Sequence, residues 1–190
     1  MCSPSVAMML SAFVAMSLCI ASVPSYAQAP GGPPALTVLV RHADRDPGFD
    51  PPLNDAGMTR VGDLAAALLH TRFSAIITSD FIRTRETARP VAAPLGVGPI
   101  EIQYKNVDRD VHVKSVVEAV GRHAGGVVLV VGHSETLKDI IGGLGGPRFP
   151  NDVCGSVYDH LFVLVPVAGR VQLVHSRYGQ PTPRQQDNCM

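Results

Sequence analysis

The chain has 190 residues, enough for one domain with a proper core and too short for two comfortable ones. Its 16 basic and 16 acidic residues give a formal net charge of zero. No global field therefore points to nucleic acid or an anionic membrane, and no nucleic-acid partner is expected.

No Asp, Glu, Lys or Arg precedes Arg41. Residues 6–23 (VAMMLSAFVAMSLCIASV) are apolar or small, Pro24 breaks the run, and Ser25-Tyr26-Ala27 offers small residues at a cleavage point. Residues 1–27 are thus expected to be a signal peptide, although only the amino terminus supplies its positive charge. An uncleaved membrane anchor is the alternative, since roughly 18 apolar residues just span a bilayer. The mature domain is expected in the periplasm or secreted. Cleavage after Ala27 leaves Cys154 and Cys189, which lack metal-site spacing. In an oxidising compartment they can pair and pin the tail, but their separation in sequence does not show that they do.

Residues 28–34 (QAPGGPP) read as a linker, residues 35–180 as one domain and residues 181–190 as a tail. Ala35–Val40 (ALTVLV) has the pattern of a strand buried on both faces. Asn54 is placed to cap a helix starting at Asp55, in which Val61, Leu64, Ala65, Leu68 and Leu69 form one apolar face. Ala75–Thr78 reads as the second strand, with a helix from near Ser79 toward Ala93 that Pro94 and Gly96 end. Ile100–Tyr104 is expected to be a third strand, Lys114–His123 a third helix and Val127–Val131 a fourth strand. Ser134 is expected to cap a helix running to about Leu144, and Tyr158–Val165 and Arg170–Tyr178 to form a hairpin joined at Pro166–Gly169. Strands alternating with helices imply a single-domain, three-layer α/β/α sandwich with a mostly parallel sheet.

In such sheets the site lies in loops at the carboxyl ends of the strands. Those loops carry Arg41-His42-Ala43-Asp44, then Ser79 to Arg85 with Arg83, then Gly132-His133-Ser134. Two imidazoles and at least two guanidiniums would converge there. Arginine forks match phosphate oxygens, and a neutral imidazole nitrogen can attack phosphorus. Helices starting at Ser79 and Ser134 would point their positive ends at the same place.

Four motifs stand in order: LVRHAD (Leu39 to Asp44), PPLNDAG (Pro51 to Gly57), TSDFIRTRETA (Thr78 to Ala88) and VVGHSETL (Val130 to Leu137). Through them the chain resembles the histidine phosphatase superfamily, phosphoglycerate-mutase-like branch, over nearly all of residues 36–145. The resemblance implies that His42 is a nucleophile forming a phosphohistidine, and that Arg41, Arg83 and His133 hold the phosphate. It implies no metal or cofactor and a small phosphorylated substrate. Asp80 and Glu86 stand where the family often has proline and glutamine, adding negative charge near an anion site. In much of the family the general acid follows the third strand; here that segment offers Asp108, with Asp44 and Glu135 as rivals and Asp110 behind them. Arg45 reads equally as a substrate contact or a solvated loop residue.

A phosphomonoesterase is the leading expectation. A phosphoglycerate-mutase-like phosphotransferase and a phosphohistidine-protein phosphatase compete within the fold. A non-catalytic phosphate-binding module, and more distantly a metal hydrolase on His42, Asp44, Asp46 and His133, compete from outside it. With 5% aromatic residues and no tryptophan, the sequence displays no obvious stacking platform. It leaves the physiological substrate and the oligomeric state open.

Overall fold

The structure is a computed structural model and describes residues 33–96, 98–182 and 189. The expected signal peptide lies outside the described residues. The elements are β1 (Leu36–Arg41), α1 (Asp55–Ala67), β2 (Ala75–Ser79), α2 (Ile82–Ala92), β3 (Ile100–Ile102) and α3 (Arg109–Gly121), followed by β4 (Val127–Gly132), α4 (Leu137–Gly143), β5 (His160–Val167) and β6 (Arg170–Arg177).

The strands form one sheet in the order β3-β2-β4-β1-β5-β6. The first four are parallel, β5 runs antiparallel to β1, and β6 pairs antiparallel with β5. Side chains alternate across this sheet with the period of two that a pleat demands. Leu39, Val128, Val130 and Ile77 face Val116, Val120, Leu137 and Ile140 from α3 and α4. Val38, Val40, Leu129 and Ile76 face Leu64, Ala88 and Val91 from α1 and α2. The expected α/β/α sandwich is thus the observed fold, and its central strands are apolar throughout because helices cover both faces.

Boundaries follow the sequence closely at β1, β2 and β4. At α1, Asn54 accepts a hydrogen bond from the Gly57 amide (3.0 Å), as the cap pattern predicts. Three starts differ. The third helix begins at Arg109, five residues before Lys114, because its polar first turn has tertiary partners: Arg109 pairs with Asp139 and Asp152, and His112 Nδ1 donates to the Gln103 carbonyl. The fourth begins at Leu137 instead of Ser134, since residues 134–136 form a turn in which the Thr136 hydroxyl accepts from the His133 amide (3.2 Å). The second begins at Ile82, and its first amide donates to Asp50 (2.9 Å). The positive end of α2 is therefore capped by a carboxylate. Neither helix starts where the expectation of two dipoles aimed at one anion required.

The hairpin strands run on through Pro166 and Val167, leaving Ala168-Gly169 as a two-residue turn with φ of 49° and 78°. Two left-handed residues match the twist of the flanking strands.

Candidate active site

Three strand ends meet at one point of the sheet. Arg41 closes β1 opposite Gly132 of β4, and the His42 amide donates to the Gly132 carbonyl (3.0 Å), bringing His42 beside His133. The Ala43 amide donates to Thr87 Oγ1 (2.9 Å), whose own hydrogen goes to the Arg83 carbonyl (2.7 Å). One α2 hydroxyl therefore ties the His42 loop to the turn that carries Arg83.

The imidazoles of His42 and His133 lie 5.4 Å apart between centroids and are almost wholly buried. A carbonyl only accepts, so the 2.9 Å contact between His42 Nδ1 and the Ala43 carbonyl places the hydrogen on Nδ1. Nε2 is left with its lone pair. Burial, followed by the nearby charge of Arg41, holds this imidazole well below its ordinary pKa of 6.5 and therefore neutral. His133 is likewise held neutral by burial. Its Nδ1 accepts from Arg83 Nη2 (3.3 Å), so Nε2 carries the hydrogen and donates it to Ser79 Oγ (2.8 Å). Ser79 passes the chain on to Thr84 Oγ1 (2.9 Å).

Three guanidiniums act on His42: those of Arg41, Arg83 and Arg45 all disfavour its protonation. Arg41 lies 4.0 Å above the Tyr158 ring, and its Nη1 donates to the carbonyls of Cys154 (3.1 Å), Gly155 (2.7 Å) and Val157 (3.1 Å). Arg83 lies 4.0 Å over Phe81 and donates from Nη1 to the Phe49 carbonyl (3.2 Å). Arg45 is held by the carbonyls of Asp46 (2.8 Å) and Gly48 (3.2 Å). In all three, Nε is buried and has no protein partner among the described residues. Three guanidiniums thus gather positive charge around one neutral imidazole, and guanidinium forks match the geometry of oxygen anions.

The sequence-predicted residues separate here. His42, Arg41, Arg83 and His133 come together. Asp108 is exposed at the N-cap of α3, where its side chain caps nothing. Asp44 is drawn away by Arg60, at 2.5 Å. Glu135 is the carboxylate whose charge acts on both Arg41 and Arg83. Its oxygens accept from Tyr104 Oη (3.2 Å) and Ser134 Oγ (3.0 Å). Burial, then Glu135, raises the Tyr104 phenol to about 12, which keeps it a donor.

Asp80 and Glu86, the two family departures, leave the anion site alone. Asp80 Oδ1 accepts the amides of Tyr104 (2.9 Å) and Lys105 (3.2 Å), and Glu86 accepts that of Leu53 (2.8 Å), so both anchor loops. The Arg45 charge acts on His42. Tyr158 escapes sequence reasoning, because a residue at the edge of a strand pattern carries no local mark of what it touches. Cys154 and Cys189 are joined as a disulfide, Cα atoms 5.0 Å apart.

Residues 37–110 match a family model described as the histidine phosphatase superfamily (branch 1). That segment holds Arg41, His42 and Arg83; His133 lies beyond it and joins the group through the fold. No curated protein sequence matches the chain. Among solved structures, the fold is shared with the Agrobacterium tumefaciens protein assigned as the phosphohistidine phosphatase SixA (24% identity, TM-score 0.53), which aligns over 77% of this chain and 99% of its own. It is shared with the protein histidine phosphatase SixA complexed with tungstate (15% identity, TM-score 0.53, 75% and 96% covered). It is also shared with an Entamoeba histolytica phosphoserine phosphatase mutant bound to phosphoserine (13% identity, TM-score 0.52, 75% and 95% covered).

Proposed function

We propose that this chain, whose residues 37–110 carry the histidine phosphatase pattern, is an exported phosphatase that hydrolyses small phosphate monoesters through a phosphohistidine on His42. One atom carries the reading: the unprotonated Nε2 of His42, set in the field of three arginines. Complexes of similar folds with tungstate and phosphoserine support a small phosphorylated substrate. The Cys154–Cys189 disulfide and the leader-like residues 1–27 support a place outside the cytoplasm.

The chemistry follows from the arrangement. N–H groups of Arg41, Arg45 and Arg83 take the non-bridging oxygens and neutralise charge that spreads over them in the transition state. A phosphate oxygen beside His133 takes the Arg83 Nη2 hydrogen that otherwise goes to the imidazole. His42 Nε2 then attacks phosphorus; the P–N bond forms as the ester P–O bond breaks. The leaving oxygen takes the proton of the monoanionic ester by way of the Glu135 carboxylate, which replaces Asp108 in this role. Water next attacks the phosphohistidine and gives up a proton through Glu135 to a phosphate oxygen, the P–N bond breaks, and inorganic phosphate departs. Arginine charge does the stabilising, so the reading requires neither metal nor cofactor.

An acid-labile phosphoenzyme, trapped during turnover of phenyl phosphate with and without chelator, tests this. The wild type is expected to form it and ignore the chelator, whereas His42→Ala forms none and loses at least about 10³-fold in kcat/KM. Glu135→Gln should slow phosphorylation more for poor leaving groups than for good ones. A wild type that binds phosphate without turnover would make the chain a binding module. Chelator-sensitive turnover would sink the phosphohistidine route.

A further inference from the structure

Resting on the phosphatase reading, we infer that the site is built for phosphate esters of aromatic alcohols, with Phe49 as the residue that receives the ring. Phe49 is 75% exposed, the most open of the large apolar side chains among the described residues. It stands beside the phosphate-binding arginine, since its carbonyl accepts from Arg83 Nη1 (3.2 Å).

From Phe49 a file of rings leads inward. Phe49 lies 5.8 Å from Phe81, and Phe81 lies 5.2 Å from His133 and 5.8 Å from Tyr104. The chain is poor in aromatics, yet it spends three of them on this rim.

Exposure here is not looseness. Gly48 takes φ of +142° and turns the chain into Phe49, whose carbonyl is then held by Arg83. The next residue, Asp50, accepts from the Ile82 amide (2.9 Å) and pairs with Lys105 (2.6 Å). A side chain on so well-tied a backbone is presented to solvent at little further entropic cost, as in aromatic anchors of binding sites.

Two donors beside Phe49 already have partners. Lys105 is paired with Asp50, and Arg83 Nη1 with the Phe49 carbonyl. The hydroxyls of a sugar phosphate would meet ring faces and occupied donors. A phenol's ring would meet surfaces it complements, edge against face.

The experiment uses non-hydrolysable phosphonates, which separates recognition of the ring from leaving-group reactivity. Competitive inhibition constants of benzylphosphonate, ethylphosphonate and inorganic phosphate are measured on the wild type and on Phe49→Ala. Benzylphosphonate is expected to bind the wild type about tenfold more tightly than ethylphosphonate, and the ratio to fall toward one in Phe49→Ala. Equal constants in the wild type, or a ratio that Phe49→Ala leaves intact, would overturn the inference while the phosphatase reading stands. If none of the three binds, the phosphatase reading fails and takes this inference with it. Comparing kcat/KM for phenyl phosphate and for a phosphotyrosine peptide then tells a small phenol from a tyrosine side chain as the natural source.

Discussion

At the scale of single residues, the chemistry depends on imidazoles kept neutral in a crowd of positive charge. Burial lowers the pKa of His42, His133 and His112 below 6.5, so the unfolded chain binds protons that the native state refuses. Stability is therefore full above about pH 7 and falls as pH drops through 6.5, at up to about 1.4 kcal/mol per pH unit for each histidine. Asp152 and Asp159, whose carboxyl groups are held below 3.8 by hydrogen bonds from Arg109 and Arg177 against the opposing cost of burial, add a second loss only in more acid solution. Urea midpoints between pH 7.5 and 5 should fall, and more shallowly in His133→Asn. A midpoint that stays level would show that the buried imidazoles take up protons freely. The sequence displays His42, Arg41, Arg83 and His133 because each sits in a motif with strong local pattern. What the sequence does not display is the place of Glu135, which accepts from Tyr104, a ring packed 5.1 Å from His133 between centroids.

At the scale of elements, the β1–α1 loop is clamped from both ends. Glu86 holds Leu53, and Asn54 both caps α1 and donates its amide to the Asp44 carbonyl (3.2 Å). Helix α1 comes so close that a Cβ on Gly57 would meet the Asp44 carbonyl oxygen at an impossible distance. Gly57→Ala should therefore push the loop that carries His42. It should cost about 1–3 kcal/mol of stability and lower kcat with it, read by thermal denaturation alongside turnover. Unchanged kcat with lost stability would mean that the strain is absorbed within α1. Apolar β-branched runs and the Asn54 cap make β1, β2, β4 and α1 legible from sequence. The start of α3 is not, because Arg109 and His112 become helical through partners 30 and 9 residues away in sequence.

At the scale of the whole molecule, Gln180, Thr182 and Cys189 bind back onto the body of the domain. Thr182 Oγ1 accepts the Tyr158 amide (3.2 Å), the Gln180 carbonyl accepts from Arg60 (2.9 Å), and Cys189 is bonded to Cys154, one of the three residues whose carbonyls accept from Arg41. A disulfide spanning 35 residues removes roughly 3–4 kcal/mol of chain entropy from the unfolded state. Cys189→Ser should lower stability by about that amount and weaken inorganic phosphate binding by loosening the cage on Arg41. Urea titrations and phosphate inhibition constants, with reductant as the matching control, check both. A stability equal to the wild type under oxidising conditions would count against the cross-link.

By itself, the sequence determined the α/β order, the strand-end loops and four of the residues that meet there. These rest on short-range rules: the pleat's period of two, the helical period, the capping residue and the turn formers. Tertiary structure alone decided that the Arg45 charge acts on His42, that Asp108 is an exposed N-cap, that Asp80 and Glu86 bind loops, and that Phe49, Phe81 and Tyr104 form a file of rings beside His133. Such outcomes depend on which distant strands become neighbours, and β1 lies beside β4 across almost ninety residues of intervening chain. No local pattern encodes that juxtaposition; burying both faces of the sheet at once produces it.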